Sequence, residues 1–156
     1  MDLLAGKRIL LGVTGSIAAY KAAHLLRELT RVGADVTVCL TEHARHFVGA
    51  LTFRTLSGHP VLSGLFDPQG DEAVEHVAVA ERADAVLVAP ATANVVAKAA
   101  HGLADDFLTT LLLAARCPVL IVPAMDSAMW EHPAVEANVR TLRARGVTVL
   151  DPEPGA

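Results

Sequence analysis

The sequence predicts an α/β protein whose core is a doubly wound parallel sheet of about five to six strands, with helices on both faces. Short runs of β-branched and other apolar residues alternate with longer stretches in which apolar residues recur at helical spacing. Gly, Pro, Thr or Asn stands at the boundaries between the two patterns. The strand-like runs are apolar almost throughout, as strands covered on both faces are, and parallel strands of this kind are joined by right-handed helical crossovers.

The first half of the chain begins with a strand, a helix and a second strand. Lys7 to Val13 is a predicted buried strand, and Ile17 to Val32 is a predicted helix that Gly33 terminates. One face of that helix carries four apolar residues: Leu25, Leu26, Leu29 and Val32. Ala34 to Leu40 is the next predicted strand. From Thr41 to Glu75 the pattern is less distinct, and no element is predicted there.

The second half of the chain continues the alternation. Three strands are predicted, at Ala85 to Ala89, Pro118 to Val122 and Val147 to Leu150. Three helices are predicted between them, at Thr92 to Ala100, Asp105 to Ala115 and Pro133 to Arg145. Gly102 separates the first two of these helices, and Gly146 ends the third. A chain of 156 residues has room for one hydrophobic core, so residues 1–156 are expected to form a single domain.

Composition and charge exclude several classes of protein. Hydrophobic residues make up 53% of the chain and charged residues 19%, which excludes a disordered or collagen-like chain. The net charge of -4 has the wrong sign for binding a nucleic-acid backbone, and aromatic residues, at 4%, offer few platforms for base stacking. Cys39 and Cys117 lie in or beside apolar runs, so we expect two buried thiols and no disulfide scaffold.

No segment of the sequence is typical of a membrane span or a signal peptide. The stretch from Ala85 to Ala100 is interrupted by Pro90, Asn94 and Lys98, and the apolar run from Ile9 to Val13 is too short for a signal-peptide core. We therefore expect a cytoplasmic protein with neither a membrane nor a nucleic acid as partner.

In a parallel sheet, ligands bind where the strands end, so the loops that follow four predicted strands are the candidate site. These loops are Thr14 to Ser16, Thr41 to His43, Pro90 to Asn94, and Pro123 to Trp130. In the first of them, Gly15 lets the backbone approach a ligand closely, and Ser16 either caps the following helix or donates to a phosphate. The alternative is a tight turn with a serine cap. Neither the G-x-G-x-x-G nor the G-x-x-x-x-G-K-[ST] fingerprint is present, which argues against dinucleotide and P-loop sites.

The second loop, Thr41-Glu42-His43, either meets the same ligand or starts a solvated helix. His43 and His46 have a spacing that could clamp a metal ion, but no third ligand lies nearby in the sequence, and no metal is predicted. In the third loop, Thr92 and Asn94 could bond the edge of a planar heterocycle, or Thr92 could simply cap a helix.

The fourth loop, Pro123 to Trp130, places soft apolar side chains and one acid, Asp126, at a strand end. A cofactor with a small polar substrate suits such a loop, although helix capping and core packing explain it nearly as well. His76 is suited to proton transfer near neutral pH, and a structural role is the alternative.

Five ordered motifs carry a family resemblance. They are G-S-I-A-A-Y-K-A at Gly15 to Ala22, S-G-H-P-V at Ser57 to Val61, A-P-A-T-A-N-x-x-A-K at Ala89 to Lys98, G-L-A-D-D at Gly102 to Asp106, and P-A-M-x-x-x-M-W at Pro123 to Trp130. In this order they resemble the flavin-containing cysteine decarboxylases, and among these the phosphopantothenoylcysteine decarboxylases. The resemblance implies a Rossmann-like subunit that binds FMN, in homotrimers or in homododecamers, with the flavin at the subunit interface.

The resemblance also implies roles for particular residues. The FMN phosphate is expected at Gly15, Ser16 and Ile17, and the FMN tail at Thr41, Glu42 and His43. The flavin is expected near Phe53, Thr92, Ala93, Asn94, Val95 and Ala124. His76 matches the catalytic histidine of the family, while Met125 and Asp126 match the substrate-binding loop.

The activity implied by the resemblance is FMN-dependent decarboxylation of 4'-phospho-N-pantothenoylcysteine to 4'-phosphopantetheine in coenzyme A biosynthesis. Hydride transfer to the flavin oxidises the cysteine moiety to a thioaldehyde, which can accept the electron pair released when carbon dioxide leaves. The reduced flavin then returns the hydride to the enethiolate, which gives phosphopantetheine. Alternatives are a decarboxylase of peptides ending in cysteine, a flavin prenyltransferase, and a non-catalytic flavin-binding regulatory subunit.

Two departures from the family pattern bear on the substrate. Asp126 stands where the family has an Asn, and a carboxylate with an ordinary pKa of about 3.9 would repel a substrate carboxylate unless it were protonated. The family also continues into a substrate clamp that carries a cysteine, and this chain is expected to end before it.

Overall fold

The computed structural model describes residues 2–63 and 78–152, and its centre is one parallel sheet. Its strands are β1 (Arg8–Val13), β2 (Asp35–Leu40), β3 (Leu62–Ser63), β4 (Ala85–Ala91), β5 (Val119–Pro123) and β6 (Thr148–Val149). They lie in the order β3-β2-β1-β4-β5-β6, and every pair of neighbours is parallel. The predicted doubly wound sheet is confirmed.

The helices divide between the two faces of the sheet. They are α1 (Lys21–Arg31), α2 (Ala50–Ser57), α3 (Ala93–His101), α4 (Phe107–Ala114), α5 (Ser127–Trp130) and α6 (Pro133–Ala144). Buried side chains of α1 and α2 pack in one hydrophobic cluster, and those of α3, α4 and α6 pack in another.

β1 shows why the strands are apolar almost throughout. Ile9, Leu11 and Val13 belong to the cluster that contains α1 and α2, whereas Leu10 belongs to the cluster on the other face. Because successive side chains of a strand point to opposite faces, a strand covered on both sides needs apolar residues at every position.

The structure differs from the predicted elements at three places. The helix predicted from Ile17 begins as a short 3₁₀ helix, Ile17–Tyr20, which Ser16 caps. β4 continues to Ala91, so Pro90, which was expected in a loop, belongs to the strand; its peptide bond to Ala89 is cis. The indistinct stretch after Thr41 contains a 3₁₀ helix, His43–His46, as well as α2 and β3.

The expectation for the cysteines holds for one of them. Cys39 is fully buried in β2, and burial raises the pKa of its thiol far above the ordinary value, so the thiol is neutral. Cys117 is only half-buried, because it lies in the loop before β5, and both cysteines are free. Across the two described ranges, no helix is long and apolar enough to cross a membrane.

Candidate functional site

The largest concentration of predicted site residues lies where the strand order reverses, between β1 and β4. A cleft of about 880 Å³ opens there at the carboxyl ends of the strands. It is lined by Thr14, Gly15, Thr41, Glu42, His43, His46, Thr92, Ala93, Asn94, Val95, Lys98, Asp105, Asp106 and Met129. Such a reversal is where open α/β sheets bind their ligands, and the predicted loops after β1, β2 and β4 all meet at this cleft.

The first wall of the cleft is the loop between β1 and α1. Within the described residues, the backbone N–H groups of Gly15 and Ser16 donate to no acceptor. Ser16 Oγ accepts a hydrogen bond from the Ala18 N–H at 3.1 Å, which leaves the hydroxyl hydrogen free to donate. These donors at the start of a helical segment favour an anion.

The second wall follows β2. Thr41 is buried, and its Oγ1 accepts a hydrogen bond from the Ala44 N–H at 3.1 Å, which starts the His43–His46 turn. The exposed side chains of Glu42 and His43 border the cleft, and the His43 ring stacks on Phe47 with the ring centres 5.8 Å apart. The described residues include no group of three or more His, Cys, Asp or Glu that could hold a metal ion.

The first and second walls touch each other. A Cβ atom added to Gly15 would lie only 2.6 Å from Cδ2 of His43 and 2.8 Å from its Cβ. The loops can therefore approach this closely only because residue 15 has no side chain.

The third wall is the start of α3. Thr92 is its N-cap, and the Thr92 Oγ1 accepts a hydrogen bond from the Val95 N–H at 3.2 Å. Ala93 and Asn94 lie at the surface of the cleft, and Val95 is buried behind them. The capping role that the sequence allowed for Thr92 is thus present, and it coexists with a place in the cleft.

The far wall contains charged residues that the sequence placed in motifs but to which it gave no role. The Lys98 ammonium lies 2.8 Å from Oδ2 of Asp105, and this hydrogen bond is the main reason why the pKa of Asp105 lies below its ordinary value. Asp106 caps α4 by accepting a hydrogen bond from the Thr109 N–H at 2.8 Å. Both acids follow Gly102, whose φ of +70° ends α3.

Thr14 lies in the first predicted loop, but sequence reasoning assigns it no role. It is buried at the end of β1 and bonds to both Pro90 and Thr92. A hydroxyl directly after a continuously apolar strand was the available signal.

Several predicted site residues lie away from this cleft. Ser16 follows Gly15 but does not itself line the cleft, and Ile17, which does not line it either, is 82% exposed. Phe53 is completely buried in the core beneath α2. Ala124 lines a separate groove of about 480 Å³.

Asp126 caps α5 by accepting a hydrogen bond from the Met129 N–H at 2.9 Å, and neither it nor Met125 lines the cleft. His76 lies outside the described residues.

Comparisons with known proteins agree with this geometry. The chain matches the Flavoprotein family over residues 2–156. It is 54% identical over 151 residues to the coenzyme A biosynthesis bifunctional protein CoaBC of Mycolicibacterium smegmatis, covering 97% of this chain and 36% of that protein. The CoaBC protein of Vibrio cholerae is 46% identical over 155 residues, covering 99% of this chain and 39% of that protein. The chain thus spans a little over a third of the length of these relatives.

Solved structures give the same result at the level of the fold. The FMN-dependent cysteine decarboxylase SpaF has a TM-score of 0.88 and 41% identity, with 97% of this chain and 87% of that chain covered. A PPC decarboxylase mutant complexed with pantothenoylaminoethenethiol has a TM-score of 0.79 and 29% identity, with 94% and 82% covered. With a family match that extends over nearly every residue and a site at the switch point of the sheet, the chain belongs to the Flavoprotein family.

Proposed function

We propose that this chain is an FMN-dependent decarboxylase of coenzyme A biosynthesis, which converts 4'-phospho-N-pantothenoylcysteine to 4'-phosphopantetheine and carbon dioxide. The observation that carries the proposal is the cleft at the β1–β4 switch point, where the loops after three strands bring the motif residues together. The names of the CoaBC relatives and of the PPC decarboxylase structure support the choice of reaction and substrate.

The cleft fits FMN in size and in chemistry. Its volume of about 880 Å³ is within the range of cofactor sites. The free N–H groups of Gly15 and Ser16, with the Ser16 hydroxyl, suit the phosphate. Thr92 and Asn94 offer polar groups for the edge of the ring, and Ala93 leaves room for its face. Bound FMN would supply the two-electron oxidation that creates an electron sink for the decarboxylation, and would return the two electrons afterwards, so that the net reaction is redox-neutral.

Residues outside the cleft complete the proposed site. We assign His76 as the base or the charge partner in the oxidation of the cysteine moiety, because imidazole transfers protons near neutral pH and its motif matches the family. Met125 and Asp126 are proposed to contact the substrate, since α5, which Asp126 caps, also carries Met129 at the edge of the cleft.

A homo-oligomer is part of the proposal, as a homotrimer or as trimers assembled into a homododecamer. Four exposed apolar side chains lie on the segments that flank the cleft: Ile17, Tyr20, Phe47 and Leu51. Exposed apolar side chains gathered beside a site are typical of an interaction surface. A neighbouring copy placed there would cover the cleft and leave the flavin between two subunits. As an enzyme of coenzyme A synthesis, the protein is also proposed to act in the cytoplasm.

Two measurements test the proposed function. Titration with FMN should quench the fluorescence of the flavin, and a protein that does not bind FMN would overturn the proposal. Mass spectrometry of a reaction with phosphopantothenoylcysteine should then show loss of carbon dioxide, and His76→Asn should still bind FMN but abolish turnover. Binding of FMN without any change in the mass of the substrate would leave a flavin-binding protein without this activity.

A peptide ending in cysteine is the informative competing substrate, because a structure of EpiD complexed with its substrate peptide DSYTC resembles this chain with a TM-score of 0.81. Equal amounts of the peptide and of phosphopantothenoylcysteine should be offered in one reaction. Faster decarboxylation of the peptide would transfer the assignment to the peptide decarboxylases, whereas the proposal requires the pantothenate substrate to react first.

A further inference from the structure

We propose that Thr14 is a positioning residue that holds the first and third walls of the cleft at a fixed separation. The proposal deepens the proposed function, since it concerns how this chain forms its flavin site. Thr14 directly precedes Gly15 on the first wall, and its side chain bonds to the strand and the helix that form the third wall.

The hydrogen bonds of the Thr14 side chain form a bridge between the first and third walls of the cleft. Thr14 is 1% exposed. Its Oγ1 donates a hydrogen bond to the Pro90 carbonyl at 2.7 Å and accepts one from the Thr92 N–H at 3.1 Å. Its backbone N–H donates to the same Pro90 carbonyl at 3.3 Å. A hydroxyl can both donate and accept, so one side-chain atom is enough to join the two backbone groups.

The bridge lies where the hydrogen bonding of the sheet ends. The register between β1 and β4 continues only to the pair Gly12 and Val88. Pro90 has no N–H to donate, and the register between β4 and β5 shifts between Val88 and Ala91. Beyond Val88, the Thr14 backbone N–H and the Thr14 hydroxyl both bond to Pro90 at the end of β4, but of these two groups only the hydroxyl also reaches Thr92 at the start of α3.

The position of Thr92 matters because it caps α3. Its Oγ1 accepts the bond from the Val95 N–H, so a shift of Thr92 would move the whole turn that carries Ala93, Asn94 and Val95 along the cleft. Without the Thr14 hydroxyl, the Thr92 N–H, which is partly buried, would lose its acceptor, and the free energy of the turn would be lower if it moved to find another one. Such a movement would change the distance between this turn and Gly15.

The variants that test the proposal are Thr14→Val, which has nearly the same shape without the hydroxyl, and Thr14→Ser, which keeps it. The dissociation constant of FMN is measured by quenching of flavin fluorescence. We expect Thr14→Val to weaken binding about tenfold or more, since a misplacement of about 1 Å in a site costs up to about a hundredfold. Thr14→Ser should stay within about threefold of the wild-type value.

Val36→Ala is the matched control for a loss of stability. Val36 is equally buried, but it lies near the amino-terminal end of β2, away from the cleft. The Val36→Ala substitution should lower the urea midpoint of unfolding without changing the affinity for FMN. Wild-type affinity in Thr14→Val, an equal loss in Thr14→Ser, or an equal loss in Val36→Ala would each overturn the proposal.

Hydrogen–deuterium exchange of the Thr92 amide gives a readout that does not depend on flavin. The amide should be protected in the wild-type protein without FMN and in Thr14→Ser, and should lose protection in Thr14→Val. Exchange in the wild-type protein as fast as in an open loop would overturn the proposal even if Thr14→Val did not fold. Failure of the wild-type protein to bind FMN would instead refute the proposed function and leave this measurement to decide the role of Thr14.

Discussion

At the scale of single residues, the contact between Gly15 and His43 determines how closely the first two loops of the cleft can approach. A Cβ on residue 15 would collide with Cβ, Cγ and Cδ2 of His43. Rotation of the His43 side chain about its Cα–Cβ bond would relieve the contacts with Cγ and Cδ2 but not the one with Cβ, which is bound to the backbone. We expect Gly15→Ala to separate the loops and weaken FMN binding by about tenfold or more, as a misplaced binding group does. Fluorescence titration with FMN measures the effect.

Gly49→Ala is the control for this substitution. Gly49 has a φ of -96°, and a Cβ added there would meet no atom within 4 Å. The Gly49→Ala variant should bind FMN with the wild-type affinity. Unchanged affinity in Gly15→Ala would mean that the close packing of the two loops has no part in forming the site.

Asp126 gives a second prediction at this scale. Asn caps helices as well as Asp does, so Asp126→Asn should keep the bond to the Met129 N–H and change the free energy of unfolding by only a few tenths of a kcal/mol, roughly. The substitution removes a negative charge from the loop that we propose to contact the substrate. We expect a lower KM for phosphopantothenoylcysteine, because its carboxylate would no longer meet a like charge.

A second variant, Asp126→Ala, distinguishes the effect of the charge from the effect of the helix cap. It removes the cap as well as the charge, so it should destabilise the protein where Asp126→Asn does not. An increase of KM in Asp126→Asn would contradict the prediction and indicate that the carboxylate itself binds the substrate.

At the scale of elements, the Lys98–Asp105 pair connects α3 to the loop that leads into α4. The hydrogen bond from Lys98 lowers the pKa of Asp105 in the folded protein. A carboxyl group with a lowered folded pKa contributes stability above its ordinary pKa and loses it as the pH falls through the folded value. The urea midpoint of the wild-type protein should therefore exceed that of Asp105→Asn near neutral pH, and the difference should disappear in strong acid.

Lys98→Gln checks that this pH dependence belongs to the pair. It removes the cation while leaving the carboxyl group in place, so the pKa of Asp105 should return toward its ordinary value. The wild-type protein and Lys98→Gln should then also converge in strong acid. A difference between the wild-type protein and Lys98→Gln that persists at low pH would show that Lys98 contributes through packing and not through its charge.

The elements also show where sequence reasoning succeeds and where it stops. The strands β1, β2, β4 and β5 could be predicted from the sequence, because the sheet is covered on both faces and each of these strands is a largely apolar run. β3 has only two residues, and α2 has a buried Phe53 beside an exposed Leu51, so neither gives a clear period. Pro90 suggests a loop, but at the end of β4 the ladder with β1 has already stopped and no N–H is needed.

At the scale of the whole molecule, the parallel topology accounts for the part of the site that the sequence predicts. Thr41, Glu42 and His43 are far in the sequence from Thr92 to Val95, but both segments follow strands whose carboxyl ends meet at one edge. The hydroxyl of Thr14 after an apolar strand is a local signal, but its bonds to Pro90 and Thr92 could not be predicted, because these residues lie 76 and 78 positions further along the chain. The Lys98–Asp105 pair spans only seven positions, but its contact depends on the geometry of the turn between α3 and α4. The roles of all the predicted site residues stay predictions, and several of these residues, such as Ile17 and Ala124, do not line the cleft of a single copy.

The exposed apolar side chains beside the cleft lead to a prediction about how copies of the chain assemble. Leu51 on α2 is 76% exposed, and Leu3, near the start of the chain, is 72% exposed. If the flavin lies between copies, Leu51→Glu should move the protein toward monomers and weaken FMN binding together, because a buried charge without a partner is costly at an interface. Leu3→Glu adds the same charge at a similar exposure and should do neither. Sedimentation velocity with and without FMN measures the mass of the assembly. A wild-type protein that binds FMN tightly as a monomer would refute the oligomer, and each copy would then have to complete its own flavin site.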